Sequence, residues 1–165
     1  MKKLLVMNRQ QVEALSEKGF KPHTLLISIR DYGADRATLK HFPEFFTQME
    51  FNDVDGDVYL DAYGMPLSAQ GKRAAEAKYH PIDSKQSKKI ARLYLQVKDS
   101  AKIVICQCEH GESRSAAVAA AIAEFESKDG LRYFIDDKYC PNKLVFRKVY
   151  NSLCKESVKP LQEQK

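Results

Sequence analysis

The stretch KIVICQCEHGESRSAAVAAAIAEF, Lys102 to Phe125, constrains this chain more than any other. Its opening run, Ile103 to Cys106, is apolar and largely β-branched, with no alternation of polar residues. That is the pattern of a strand covered on both faces. A short polar loop containing Gly111 follows. Val118, Ile122 and Phe125 then recur at the spacing of one helix face. A strand buried on both sides needs a layer of helices above it and another below. The expected class is therefore α/β: a mostly parallel sheet of four to five strands flanked by helices.

The rest of the chain supplies further strands and helices. KKLLVMN reads as an opening strand. Asn8 then caps a helix, with Gln11 three positions on as in a capping box; Val12 and Leu15 share its inner face and Gly19 stops it. TLLISIR, Thr24 to Arg30, reads as a buried strand, and QMEFNDVD, Gln48 to Asp55, as another. Residues 56–83 carry glycines, prolines and charges with little periodicity. They are expected to form a long loop with a short helix at Gln70 to Lys78. Ser84 is expected to cap a helix whose buried face is Ile90, Leu93, Tyr94 and Val97. GLRYFIDDKYC suggests a further short helix. Pro141 suits a first helical turn, and Val145, Val149 and Leu153 mark the last helix.

The chain has 165 residues, 44% of them hydrophobic and 30% charged, a soluble globular composition for one domain, expected over 1–158 with a polar tail at 159–165. No apolar run reaches the ~20 residues of a membrane span. The patch before Asn8 falls short of a secretory core of about 7–15 residues, so a cytoplasmic protein is expected. The four cysteines, Cys106, Cys108, Cys140 and Cys154, are then free thiols. Cys106, Cys108 and His110 lack the second pair that a zinc site needs, and no metal or cofactor is expected. The net charge of +5 favours anionic partners. Lys85, Lys88, Lys89 and Arg92 are read as a solvated helix face.

The loop after the central strand holds the chemistry. A loop running into a helix aims several backbone N–H groups at one point, where the helix dipole adds positive potential. A phosphate dianion suits such a cradle. Gly111 allows a sharp turn close to a ligand. Arg114 offers two parallel hydrogen bonds to phosphate oxygens. The same N–H groups favour the thiolate, the nucleophilic form of cysteine, at Cys108. The Ser115 hydroxyl lies where it could bond the sulfur. Singly, each residue has a structural explanation, and a strand-end cysteine is most often a small core hydrophobe. In this order, between strand and helix, they point to a phosphate site.

CEHGESRS resembles the C-x5-R-[ST] signature of the cysteine-based protein tyrosine phosphatases, with the glycine and S-R-S positions of the dual-specificity type. LLVMNRQQVEAL, LLISIRDYG, FNDVD and PNKLVFRKVY resemble segments of small bacterial and phage proteins of that superfamily. The resemblance implies a phosphatase-like fold and hydrolysis of phosphomonoesters through a phosphocysteine. It implies Cys108 as nucleophile, Arg114 as phosphate clamp and Ser115 as helper of phosphoenzyme breakdown. The backbone of Glu109, His110, Gly111, Glu112, Ser113 and Arg114 becomes the phosphate cradle. The implied partners are a phosphorylated protein substrate and, in the site, phosphate or vanadate. One departure stands out: the residue before the cysteine is Gln107, where the family usually has histidine. Glu109 and Glu112 are expected to turn their carboxylates outward, and His110 to face solvent.

A leaving alkoxide or phenoxide needs a proton. The family places the acid, an aspartate, on a separate loop after a strand. Asp53 is the first choice here, then Asp55, then Asp83, which has a plain alternative role at a helix start. Asp31 is a weaker candidate for lining the site. The competing readings are a degenerate phosphatase that binds phosphorylated partners and a sulfur-transfer cysteine loop. Nucleic acid as a partner rests on net charge alone, because no aromatic–basic RNA-binding motif is present. Phosphotyrosine, phosphoserine, phosphothreonine, phosphoinositide and RNA 5′-phosphate all remain open as substrates.

Overall fold

A computed structural model of the protein describes residues 2–159. Four strands form one fully parallel sheet: β1 (Lys3–Met7), β2 (Thr24–Arg30), β3 (Phe45–Glu50) and β4 (Ile103–Gln107), in the order β1–β4–β2–β3. The helices are α1 (Arg9–Lys18), α2 (Ala69–Tyr79), α3 (Ser84–Val97), α4 (Arg114–Ser127), α5 (Arg132–Ile135) and α6 (Lys143–Ser157). The α/β expectation holds, with four strands among the described residues. β4 lies between β1 and β2, and Cys106 is in register with Val6 on one side and Ile27 on the other. Because every strand is parallel, all four carboxyl ends open at the same edge of the sheet, where ligands of such folds bind.

Strand periodicity divides the core in two. Leu25, Ile27, Ile29, Val104 and Cys106 face the layer that contains α3, α4 and α6. Leu26 and Ile105 face Val12 of α1. Each fully buried Leu or Ile contributes about 1.5–3 kcal/mol. α4 is buried on almost every side from Arg114 to Ala123. Its alanines let the sheet and α6 approach closely, which locates the start of α4 firmly against the end of β4. Among the described residues no helix is long and apolar enough to cross a membrane.

Several boundaries differ from the sequence reading. The third strand runs Phe45–Glu50, not Gln48 to Asp55. Phe45, Phe46 and Thr47 are strong strand formers that follow Pro43, and the chain leaves the sheet where polar residues gather. The helix expected at Gln70 to Lys78 spans Ala69–Tyr79, capped by Ser68. The rest of 56–68 is a 3-10 turn, Gly56–Tyr59, and a small loop closed by a Leu60–Pro66 bridge. Asp83, not Ser84, caps α3, in a capping box with Gln86. Pro141 precedes the last helix, whose N-cap is Asn142. Asn8, Gln11 and Gly19 bound α1 as expected, and Lys85, Lys88 and Lys89 are exposed. Of the tail expected at 159–165, residues 160–165 lie outside the described residues.

Candidate active site

The polypeptide leaves β4 at Gln107 and enters α4 at Arg114, so the intervening loop must reverse within six residues. Gly111 makes this possible. Its φ is +67°, and a Cβ there would lie 2.6 Å from the backbone nitrogen of Asn8 and 2.8 Å from the carbonyl carbon of Met7. The loop is thus wedged against the end of β1. Cys108 N–H donates to Met7 O (3.4 Å), and Arg9 N–H donates to Glu109 O (3.3 Å). Among the described residues, none of the backbone N–H groups from Glu109 to Arg114 donates to a protein acceptor. Glu109, His110 and Glu112 are exposed, and the row of donors stands unpaired at the head of α4, as N–H groups at a helix start do. Ser113, at the N-cap of α4, makes no capping hydrogen bond and leaves the helix end open.

Cys108 is 2% exposed, and its Sγ lies 3.0 Å from Ser115 Oγ, itself fully buried. Cys106, two residues earlier, differs: burial, and to a lesser degree Cys108, pushes its thiol far up, which makes it a core residue. Glu109, Glu112 and His110 are exposed, as expected from sequence. Glu109 pairs with Arg9 at 3.5 Å.

Arg114 is 3% exposed. Its Nη1 donates to Phe51 O (2.7 Å) and pairs with Asp31 Oδ1 (2.7 Å). Its Nε is buried and has no partner. Two acceptors on one corner of the guanidinium therefore orient it and leave its Nε side unused. A buried, unpaired charged donor is costly unless a ligand completes it. Asp31, read from sequence only as a weak lining residue, is tied directly to Arg114. Next to it, Tyr32 stacks on His80 with ring centroids 3.5 Å apart.

Of the three aspartates expected as acids, Asp53 alone bonds the loop between β4 and α4. Its Oδ1 accepts from Ser113 Oγ and from Asn142 Nδ2, both at 2.8 Å. Asp55 bonds Gly56 N–H at the head of the 3-10 turn, and Asp83 caps α3. Gln107 is buried, and its Oε1 accepts from Ser28 Oγ at 2.5 Å. Asn142 and Ser28 were not singled out from sequence. Their partners lie 89 and 79 positions away along the chain, and no local pattern marks such a pair.

No family model matches this chain, and no curated protein sequence matches it. Among solved structures, the crystal structure of PTPMT1 in complex with PI(5)P is similar over 94% of this chain and 92% of that one, at 9% identity and a TM-score of 0.49. The crystal structure of PTPMT1 is similar over the same shares, at 12% identity and a TM-score of 0.48.

Proposed function

We propose that this chain is a phosphomonoester hydrolase of the cysteine-based protein tyrosine phosphatase type. One observation carries the reading: the sulfur of Cys108 sits in a loop of free amide donors beside a buried Arg114 whose Nε has no partner. In this reading residues 1–158 form the catalytic domain, in a reducing, cytoplasmic compartment. The substrate is a phosphorylated protein, phosphotyrosine first and phosphoserine or phosphothreonine next, and phosphate or vanadate occupies the cradle. No metal takes part.

The thiolate of Cys108 attacks phosphorus. The S–P bond forms as the ester P–O bond breaks, and Asp53 gives its proton to the leaving oxygen. The amides of residues 109–114 and the guanidinium of Arg114 stabilise the charge on the phosphoryl oxygens. Asp53 then takes a proton from water as the water oxygen attacks phosphorus. The S–P electron pair returns to Cys108, and the Ser115 hydroxyl stabilises the departing thiolate.

Hydrolysis of para-nitrophenyl phosphate tests the reading. Turnover is expected in the wild type and in Cys106→Ala, with at least ~10³-fold loss in Cys108→Ser and Arg114→Ala, since nucleophile and charge stabilisation are each worth that order. Vanadate should inhibit. Robust hydrolysis by Cys108→Ser overturns the proposal. One observation favours a second reading, a phosphate-binding module with slow turnover: the position before Cys108 is a neutral glutamine already held by Ser28. Tight binding of a phosphotyrosine peptide without product release would select it.

A further inference from the structure

Asn142 is 7% exposed and lies between three parts of the molecule. Its backbone N–H donates to Ser113 O (3.3 Å) in the phosphate loop. Its Oδ1 accepts from Val145 N–H (3.0 Å) and caps α6. Its Nδ2 donates to Asp53 Oδ1 (2.8 Å) and to Val54 O (3.0 Å). The amide orientation follows from these partners. A flipped amide would set its oxygen against a carboxylate and a carbonyl, and its NH2 against the Val145 N–H.

The consequence falls on Asp53. A carboxyl oxygen has two in-plane lone pairs, and both of those on Oδ1 are occupied, by Ser113 Oγ–H and Asn142 Nδ2–H. Among the described residues, Oδ2 receives no hydrogen bond. Resting on the phosphatase reading above, we infer that Asn142 is a positioning residue that confines the Asp53 proton to Oδ2 and fixes the carboxyl against the phosphate loop. As the S–P bond forms, the P–O electron pair passes to the leaving oxygen, which takes the proton from Oδ2. Asp53 is left as a carboxylate, ready to receive the proton of the attacking water.

Asn142→Ser is the discriminating variant. Serine keeps the helix cap but is too short to hold Asp53 and Val54. Two substrates read the effect: phenyl phosphate, whose leaving group needs the proton, and dinitrophenyl phosphate, whose leaving group does not. For phenyl phosphate kcat should fall about 10- to 100-fold, part of the 10²–10⁴ that general acid catalysis supplies. For dinitrophenyl phosphate the fall should stay below about 3-fold. The double variant with Asp53→Asn should match Asp53→Asn alone, because the two residues act as a unit. Equal losses on both substrates, or additive losses in the double variant, would overturn the inference. A wild type that hydrolyses neither ester refutes the phosphatase reading instead. The side-chain amide NMR signals of Asn142 then decide the positioning by themselves. They should move in Asp53→Asn, and unmoved signals would refute the contact.

Discussion

Replacing Gly111 with alanine tests how the loop between β4 and α4 is built. Two costs add at this position. The φ of +67° lies in the left-handed region, where a side chain costs about 1–2 kcal/mol. The new methyl would also sit 2.6 Å from Asn8 N and 2.8 Å from Met7 C. Both are backbone atoms at the end of β1, so relief requires moving the strand or the loop, at about 1–3 kcal/mol. Together the change should destabilise by about 2–5 kcal/mol, or roughly 5–20 °C in Tm for a chain of this size. Two other glycines separate the terms. Gly33 has φ +74° and nothing within 4 Å of its added Cβ, so Gly33→Ala should cost the conformational part alone. Gly130 has no left-handed φ, yet its Cβ would meet Ala120 O at 2.6 Å and Glu124 Cβ at 2.8 Å, so Gly130→Ala should show the steric part alone. Urea unfolding measures all three, and titration with vanadate measures the cradle. Only Gly111→Ala should weaken vanadate, by about tenfold or more, since a displacement of one ångström at such a site costs that order. If Gly111→Ala costs no more than Gly33→Ala and binds vanadate as the wild type does, the loop is not wedged against β1.

Two further outcomes follow from charge. Asp31→Asn keeps an acceptor for Arg114 but removes a negative charge beside the proposed anion cradle. A half-exposed charge is worth about 1 kcal/mol, so vanadate should bind roughly fivefold tighter at low salt, with the gain fading as salt rises; weaker binding would refute the assignment of Asp31 to orientation. Glu156 is 1% exposed and held below the ordinary carboxylate value, first by the hydrogen bond from Arg92 (2.8 Å) and then by Lys159 (2.9 Å). The unfolded chain then binds more protons in the acid range. Glu156 contributes its stability above the unfolded value near 4.3, and that contribution is lost as pH falls through the lower folded value. Urea unfolding of the wild type against Glu156→Gln should show a gap that shrinks below about pH 4, and a gap independent of pH would refute it.

How legible the molecule is from sequence depends on the range of the forces involved. β2 and β4 are legible in the sequence to within a residue, because a doubly covered parallel strand needs a continuous apolar run and little else. α1 carries its own start and stop in Asn8, Gln11 and Gly19. β3 starts three residues and ends five residues before the segment Gln48 to Asp55 expected from sequence. The acidic FNDVD segment resembles the tail of a strand, whereas the apolar pair Phe45–Phe46 comes close after Pro43, a residue that usually punctuates strands. Ser84 and Asp83 are both good caps, and only the geometry with Gln86 chooses between them. In the site, Cys108, Gly111, Arg114 and Ser115 lie within eight residues, and their spacing is a local property of a strand–loop–helix turn. Asp31 is legible as a lining residue from its place after a strand, whereas Asn142, at the cap of α6, and Ser28, on β2, reach the site only through tertiary packing, and no periodicity encodes such contacts.

The ends of the four strands also bear on why a guanidinium and a thiol can share one loop without pairing. Each of the four strands delivers a group to the same edge as it ends. β1 provides the Met7–Asn8 backbone under Gly111, β2 provides Asp31, β3 provides the carbonyl of Phe51, and β4 provides Cys108. Asp31 and Phe51 O both take Nη1 of Arg114, while the sulfur faces a neutral hydroxyl, Ser115 Oγ. The hydrogen-bond partner of neither group is the other. In a site of low dielectric an unrestrained guanidinium would pair directly with a thiolate, at the expense of nucleophilicity. Anchoring it at the ends of two other strands keeps the Nε side open, which in the proposed function is where phosphoryl oxygens bind. In the proposed reaction, the reorganisation that the transition state would otherwise require is built into the fold.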